Sequence, residues 1–355
     1  MKRARLLMVL AVLALLAAAC GGGAEPQADT AQQEPTDVET EAETEEEADA
    51  EEVAVSGTVL IYTSVPQPII DELKARFEAA LPGLTLEVFR AKTGEVTARI
   101  ATEQQAGEVQ ADVIWVAEPS TYEAFKETGL LAAYDPPADA PIPDAYVDPE
   151  GFYVAGRIIN MIVAWNTDAL PDGLGDWSDL NGGDVKAAFP GPGSGSAMAA
   201  IAALIDTSGE DFFRAFADAG GVQVSSNGAA RDGLIAGEFE AAGVLDYMIR
   251  GAKAEGSPVD LAYPSSGTVV IPSPLAITSS SKNPDGAKAF VDFVLSQEGQ
   301  QAVVEIGDFY PARTDVDPPA GAPALDSVAA IDLDWKDLAQ RQDEIDEYWR
   351  SIFGG

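Results

Sequence analysis

Apolar residues recur along this chain at two spacings that take turns. "TVLIYT" (58–63), "LTLEVFR" (84–90) and "ADVIWVA" (111–117) are short runs rich in Val, Ile, Leu and aromatics, the pattern of strands. Between the first two, Ile69, Ile70, Leu73, Phe77 and Ala80 fall at helical spacing, with Pro68 suited to a first turn. "PSTYEAFKETGLL" (119–131) reads as a second amphipathic helix, stopped at Gly129. Strands and helices that alternate over short connections pair in parallel through right-handed crossovers.

A long apolar strand follows within residues 148–170, and the alternation then restarts. "DVKAAFPG", the Gly- and Ser-rich start of an Ala-rich helix, "GVQVSSN", "EAAGVLDYMI" and "VDLAYP" form a second α/β set. "VVIPSPLAI" is another long strand, and Asn283 caps a helix whose first turn holds Pro284. Two α/β sets joined by two long strands predict two lobes with a cleft between them and closure about a hinge. The boundaries expected are 53–156 and 268–310 for the first lobe and 157–267 for the second. Residues 311–355 form a C-terminal helical segment packed on the second lobe.

The first 52 residues are a different material. Lys2, Arg3 and Arg5 precede an apolar run, Leu6 to Leu16, and small residues then lead to Cys20, so residues 1–19 read as a secretory signal. Cys20 is the sole cysteine, which leaves no disulfide framework. Its place after a small-residue cleavage site resembles the lipobox of bacterial lipoproteins, although Ala17 stands where that motif prefers a branched residue. The resemblance implies lipidation at Cys20 and anchoring at the outer face of the cell membrane. Residues 20–52 carry 13 acids, no base and no aromatic, which predicts a disordered acidic tether.

Charge and composition exclude several functions. The chain has 59 acidic and 21 basic residues; once the leader's three bases and the tether's 13 acids are set aside, 46 acids face 18 bases, a net near −28. So negative a surface argues against nucleic acid and against direct contact with anionic lipid. No histidine is present, which removes Ser–His triads, Cys–His dyads and histidine-bound zinc together. "GPGSGS" is not a phosphate-binding P-loop, because no Lys-Ser/Thr pair follows its glycines. These absences argue against an enzyme, although a carboxylate pair would be invisible among 46 acids; a structural or adhesive surface lipoprotein is another class the chain could belong to.

"LIYTSVPQPIIDELKARFE", "TGEVTARIATEQQAGEVQADVIWVAEPSTYEAFKETGLL", "RIINMIVAWNTDAL" and "VVIPSPLAI…KNPDGAKAFVDFVLSQEGQQAV" together resemble, in order and spacing, the ferric-type branch of the extracellular solute-binding proteins of ABC importers. The resemblance runs from about Gly57 to Val316. It implies the type II periplasmic-binding-protein fold, each lobe a mostly parallel sheet flanked by helices. It also implies a monomer that delivers a small solute to a permease energised by a separate ATPase.

Strand C-termini and helix N-termini, where α/β folds hold ligands, supply the candidate site. Ser64 and Gln67 lie between a strand end and a helix, as cleft residues or as a cap. Thr93 and Gly94 open the next helix, with the same two options. Glu118 follows the third strand, in the cleft or as a loop acid. Arg157 and Asn160 lie on the first long strand, where Arg157 either faces the cleft or pairs with a surface carboxylate. Ser194, Gly195 and Ser196 begin the Ala-rich helix, where they hold an anion or only cap; relatives of this fold hold an anion at that helix start. Asn227 and Tyr247 complete the set, Tyr247 with core packing as its alternative.

Iron-binding relatives use adjacent tyrosines with a histidine and an acid. Here Pro66 stands at the histidine position and Asp246-Tyr247 at the tyrosine pair. Glu118 and Tyr247 persist as ferric candidates, with Asp246 as a substitute for the second tyrosine. The expected ligand is a small anion, phosphorylated, phosphonate or carboxylate; ferric iron as transported cargo is the alternative, and no resident cofactor is expected.

Overall fold

Val59 and Ile61 are buried in one core cluster, and Tyr62 with Leu60 in another, which makes β1 (Gly57–Thr63) a strand covered on both faces. The structure is a computed structural model that describes residues 55–354; the expected signal peptide, Cys20 and the acidic tether lie outside them. α1 (Gln67–Ala80) follows, with Ile70, Leu73 and Phe77 on its buried stripe, then β2 (Leu84–Arg90), α2 (Thr93–Ala106), β3 (Val113–Trp115) and α3 (Pro119–Glu127). β1 pairs in parallel with both β2 and β3. The first α/β set is as the sequence predicts.

The long strand β4 (Val154–Asn166) is buried almost throughout. After it come β5 (Ala187–Pro190), α4 (Gly195–Ser208), α5 (Asp211–Asp218), β6 (Val222–Val224), α6 (Asn227–Ile235), β7 (Ala241–Leu245), α7 (Asp246–Ala254) and β8 (Val259–Ala262). α4 is buried from Gly195 to Leu204, which accounts for its run of small and apolar residues: it lies inside the molecule and needs no polar face. β9 (Val269–Ile277), α8 (Pro284–Leu295), α9 (Gln297–Gly307) and α10 (Trp335–Phe353) close the chain.

Two separate sheets were expected, and the structure has one. Among the described residues the strands form a mixed sheet in the order β2-β1-β3-β9-β4-β7-β5-β6, with β8 beside β4. The cause is the pairing of the two long strands. β9 binds β4 antiparallel along Val154–Met161 and binds β3 on its other edge, while β4 goes on to pair with β7. The two parallel sets are thereby welded through the crossing strands, and the described residues pack as one unit.

α10 touches both sets of elements. Its apolar stripe, Leu338, Ile345 and Trp349, is buried, and Trp349 packs 5.0 Å from Phe213 in the second set. On the other side, Gln342 Nε2 donates to Ser120 Oγ on α3 at 3.1 Å.

Candidate functional site

The C-terminal ends of the parallel strands on both sides of the molecule face a common cleft of about 600 Å³. Ser64, Thr93, Arg157, Ser194, Ser196, Asn227 and Tyr247 line it, all of them sequence candidates.

Arg157 reaches the cleft through a defect in β4. The β4–β9 register shifts between Ala155 and Arg157, and Gly156 sits in the bulge, where a Cβ would lie 2.5 Å from Leu275. A bulge re-aims the next side chain. The Arg157 guanidinium is buried, at 3% exposure, with Nε donating to Ser273 Oγ at 3.3 Å and Nη1 left without a partner. Phe309 lies 4.2 Å and Trp115 5.6 Å from it, ring centroid to Cζ. Among the described residues no carboxylate is within ion-pair distance. Burial pulls its pKa down to about 10, and the charge of Arg90 acts in the same direction.

The serine loop does not cap its helix. Ser194 is the N-cap of α4, but its side chain makes no capping bond. Asn227 Nδ2 donates instead to Ser194 Oγ at 3.1 Å and Ser196 Oγ at 2.9 Å, which binds the two helix starts into one polar wall. Capping at α6 is done by Ser226, whose side chain accepts from Ala229 N. The first-turn N–H groups of α4 are thus left uncapped by either hydroxyl. Thr93 likewise lines the cleft and does not cap α2, whose N-cap is Lys92. Tyr247 packs edge-on against Phe309 at 4.6 Å, and burial raises its phenol to about 12, with Arg157 opposing.

Other candidates are placed elsewhere. Gln67 is exposed and donates to Asp71 Oδ1 one turn on, because it points along the surface of α1. Gly94 packs against the Gly193 carbonyl, and Gly195 against Glu118; both are contact points where the two sets of elements meet. Glu118 lines a second cavity of about 460 Å³, behind the α4 N-terminus, and not the main cleft. Its Oε1 accepts from Thr121 at 2.5 Å and its Oε2 has no partner. Burial pushes its carboxyl up to about 7, against the pull of the Thr121 and Ser120 hydroxyls. Asn160 is buried behind the site, donating to Asp246 at 2.9 Å. Asp246 is turned to Arg250 Nη1 at 2.6 Å, the counter-charge that its burial requires. Glu118, Asp246 and Tyr247 are therefore not brought together as an oxygen-donor set.

Sequence reasoning missed three cations on the cleft wall: Arg90, Lys92 and Arg231. Arg90 donates to the Val65 carbonyl and Lys92 reaches the Ser225 carbonyl at 3.2 Å, neither with a carboxylate partner among the described residues. Arg231 pairs with its neighbour Asp232 at 2.6 Å. The signal was available, since Arg90 ends β2 and Lys92 caps α2, at the very strand-end positions used to choose Ser64 and Glu118.

A family described as bacterial extracellular solute-binding protein matches residues 72–330. A periplasmic protein of Salmonella typhi named for binding 2-aminoethylphosphonate is 26% identical over 278 residues, 72% of this chain and 80% of its own. Among solved structures, AfuA of Actinobacillus pleuropneumoniae with fructose-6-phosphate bound gives a TM-score of 0.76 at 24% identity, covering 84% of this chain and 99% of that one. Iron-bound HitA of Pseudomonas aeruginosa gives 0.74 at 22% identity, covering 83% and 99%. At these identities the structural likeness establishes the fold: that of a type II periplasmic binding protein.

Proposed function

This chain belongs to the bacterial extracellular solute-binding proteins, a non-enzymatic family that binds small solutes for ABC importers, and from that premise we propose that its solute is a small organic anion bearing a phosphonate, phosphate or carboxylate group. The observation that carries this reading is Arg157, buried and without a carboxylate partner in a protein with a large excess of acids. An isolated buried charge is unfavourable unless something of opposite sign joins it. An anionic ligand does so, and the hydroxyls of Ser194 and Ser196 and the first turn of α4 add donors beside it. Arg90 and Lys92 join Arg157 on a cleft wall whose other charges are Arg231, paired with Asp232, and one acid, Glu255, so the cleft is locally positive under a negative surface, which favours a doubly charged phospho group over a single carboxylate. The 2-aminoethylphosphonate named for the Salmonella relative and the sugar phosphate held by AfuA support the same class.

For ferric iron the cleft offers one phenol, Tyr247, with Glu118 and Asp246 engaged elsewhere. Capture proceeds by closure of the two sets of elements on the solute. The closed protein then docks on the permease, held near it by a lipid on Cys20 and the acidic tether.

The test is calorimetry on the purified protein with methylphosphonate, 2-aminoethylphosphonate, inorganic phosphate, acetate and ferric citrate. Saturable binding of a phospho compound, with acetate weaker, supports the reading. A visible tyrosinate–iron band with no response to any phosphonate or phosphate overturns it.

A further inference from the structure

Phe309 does not line the cleft, yet it touches both residues that matter most within it. It is buried at 1% exposure, its ring lies 4.2 Å from the Arg157 guanidinium carbon, and it forms a T-shaped pair with Tyr247 at 4.6 Å between centroids. We propose that Phe309 is a positioning residue for the anion site: its π face holds Arg157 extended, charged and aimed at the ligand without a carboxylate to neutralise it. A carboxylate in that place would occupy the guanidinium and repel the solute, whereas a ring face attracts a cation and leaves its N–H donors free. Trp115, 5.6 Å from the same guanidinium, adds a second ring contact.

Phe309 is itself held by an unusual piece of backbone. Asp308, which closes α9, has φ 53 and is the one non-glycine residue with positive φ among those described. Arg250 fixes it, with Nε 2.9 Å from the Asp308 carboxylate and Nη2 bonded to the Asp308 carbonyl. The same guanidinium binds Asp246 through Nη1. Asp246 precedes Tyr247 and Asp308 precedes Phe309, so one buried Arg clamps the residues before both aromatic members of the site. Strain in the left-handed region persists only where surrounding contacts over-determine it, and here they do.

The proposal rests on Arg157 contacting the anion, so its test has one readout that needs no ligand. Guanidinium NMR of the full chain, with the Arg157 signal assigned by its loss in Arg157→Lys, reports the ring current of Phe309. The signal should be displaced in the parent and in Phe309→Tyr, which keeps the π face. It should return toward the position of a free arginine in Phe309→Leu, and in Phe309→Met should the leucine variant fail to fold. Methylphosphonate affinity should fall about tenfold in the Leu variant and largely recover in the Tyr variant. An Arg157 signal unmoved in the folded Leu or Met variant overturns the positioning role. A parent that binds no methylphosphonate yet shows the displaced signal keeps the positioning role and overturns the anion reading instead.

Discussion

Glu118 and Gly195 meet where the two sets of elements touch: a Cβ on Gly195 would stand 1.7 Å from Glu118 Oε2. Clearing the overlap means turning the buried Glu118 carboxyl away from the Thr121 and Ser120 hydroxyls that hold its other oxygen. Gly195→Ala should therefore destabilise the fold by about 1–3 kcal/mol, the range for overpacked sites. Combined with Glu118→Ala, which removes the opposing oxygen, most of that loss should disappear. Urea titrations of the two single variants and the double one read it directly, and strictly additive losses would sink the contact as the cause.

The same carboxylate should make stability depend on pH. Glu118 titrates near its ordinary value of 4.5 when the chain is unfolded and near 7 when buried in the fold. Between those values the folded protein keeps a proton that the unfolded chain has released, so this group's contribution to stability falls as pH rises from about 4.5 to about 7 and stays lost above. The interval corresponds to roughly 3 kcal/mol. Glu118→Gln, which cannot ionise, should flatten that part of the profile and be the more stable protein at pH 8. A parent and variant whose unfolding midpoints run parallel across this range would show that Glu118 is not buried as described.

Arg157→Met separates binding from folding. The methionine keeps an unbranched apolar stem and removes a guanidinium that lies on Phe309 and whose Nη1 has no partner. Stability should hold or rise, because a buried charge without a counter-ion is lost. Affinity for methylphosphonate should drop by about 2–5 kcal/mol, the span for losing one member of a desolvated charged contact. Thermal melts and calorimetry on one preparation measure both, and binding retained in the variant would remove Arg157 from the site.

What the sequence made legible follows from what one-dimensional pattern can encode. Strand and helix periods placed β1, β2, α1 and α3; strand ends and helix starts pointed to Ser64, Thr93, Ser194, Ser196, Asn227 and Tyr247, and the hinge strand to Arg157, all of which line the cleft. The same rule offered Glu118 and could not tell which side of α4 it faced, because that depends on how α4 docks. Asp246 looked like a ligand because its partner, Arg250, lies one turn on along a helix whose inner face the sequence does not mark. The join of two sheets into one depends on β9 pairing with β4 more than a hundred residues away, a long-range register that short-range periodicity does not contain. Phe309 follows the same logic, since "GDFYPA" carries no motif and its role comes from the two side chains it meets.

Ser196→Asp tests the loop itself. Neither Ser194 nor Ser196 caps α4, and both hydroxyls accept from Asn227 Nδ2 at the cleft wall. A carboxylate at position 196 would accept the same Asn227 bond, and acids are favourable near a helix N-terminus, so the fold should be as stable as the parent or slightly more so. It would also place a fixed negative charge where the solute's own charge is drawn by Arg157 and the first turn of α4. Methylphosphonate binding should fall at least tenfold, and by the same margin in high salt, because a contact buried in the cleft is screened little. Should calorimetry return an unchanged affinity while Arg157→Met abolishes binding, the solute sits on the arginine side of the cleft and the serine loop is only the wall opposite.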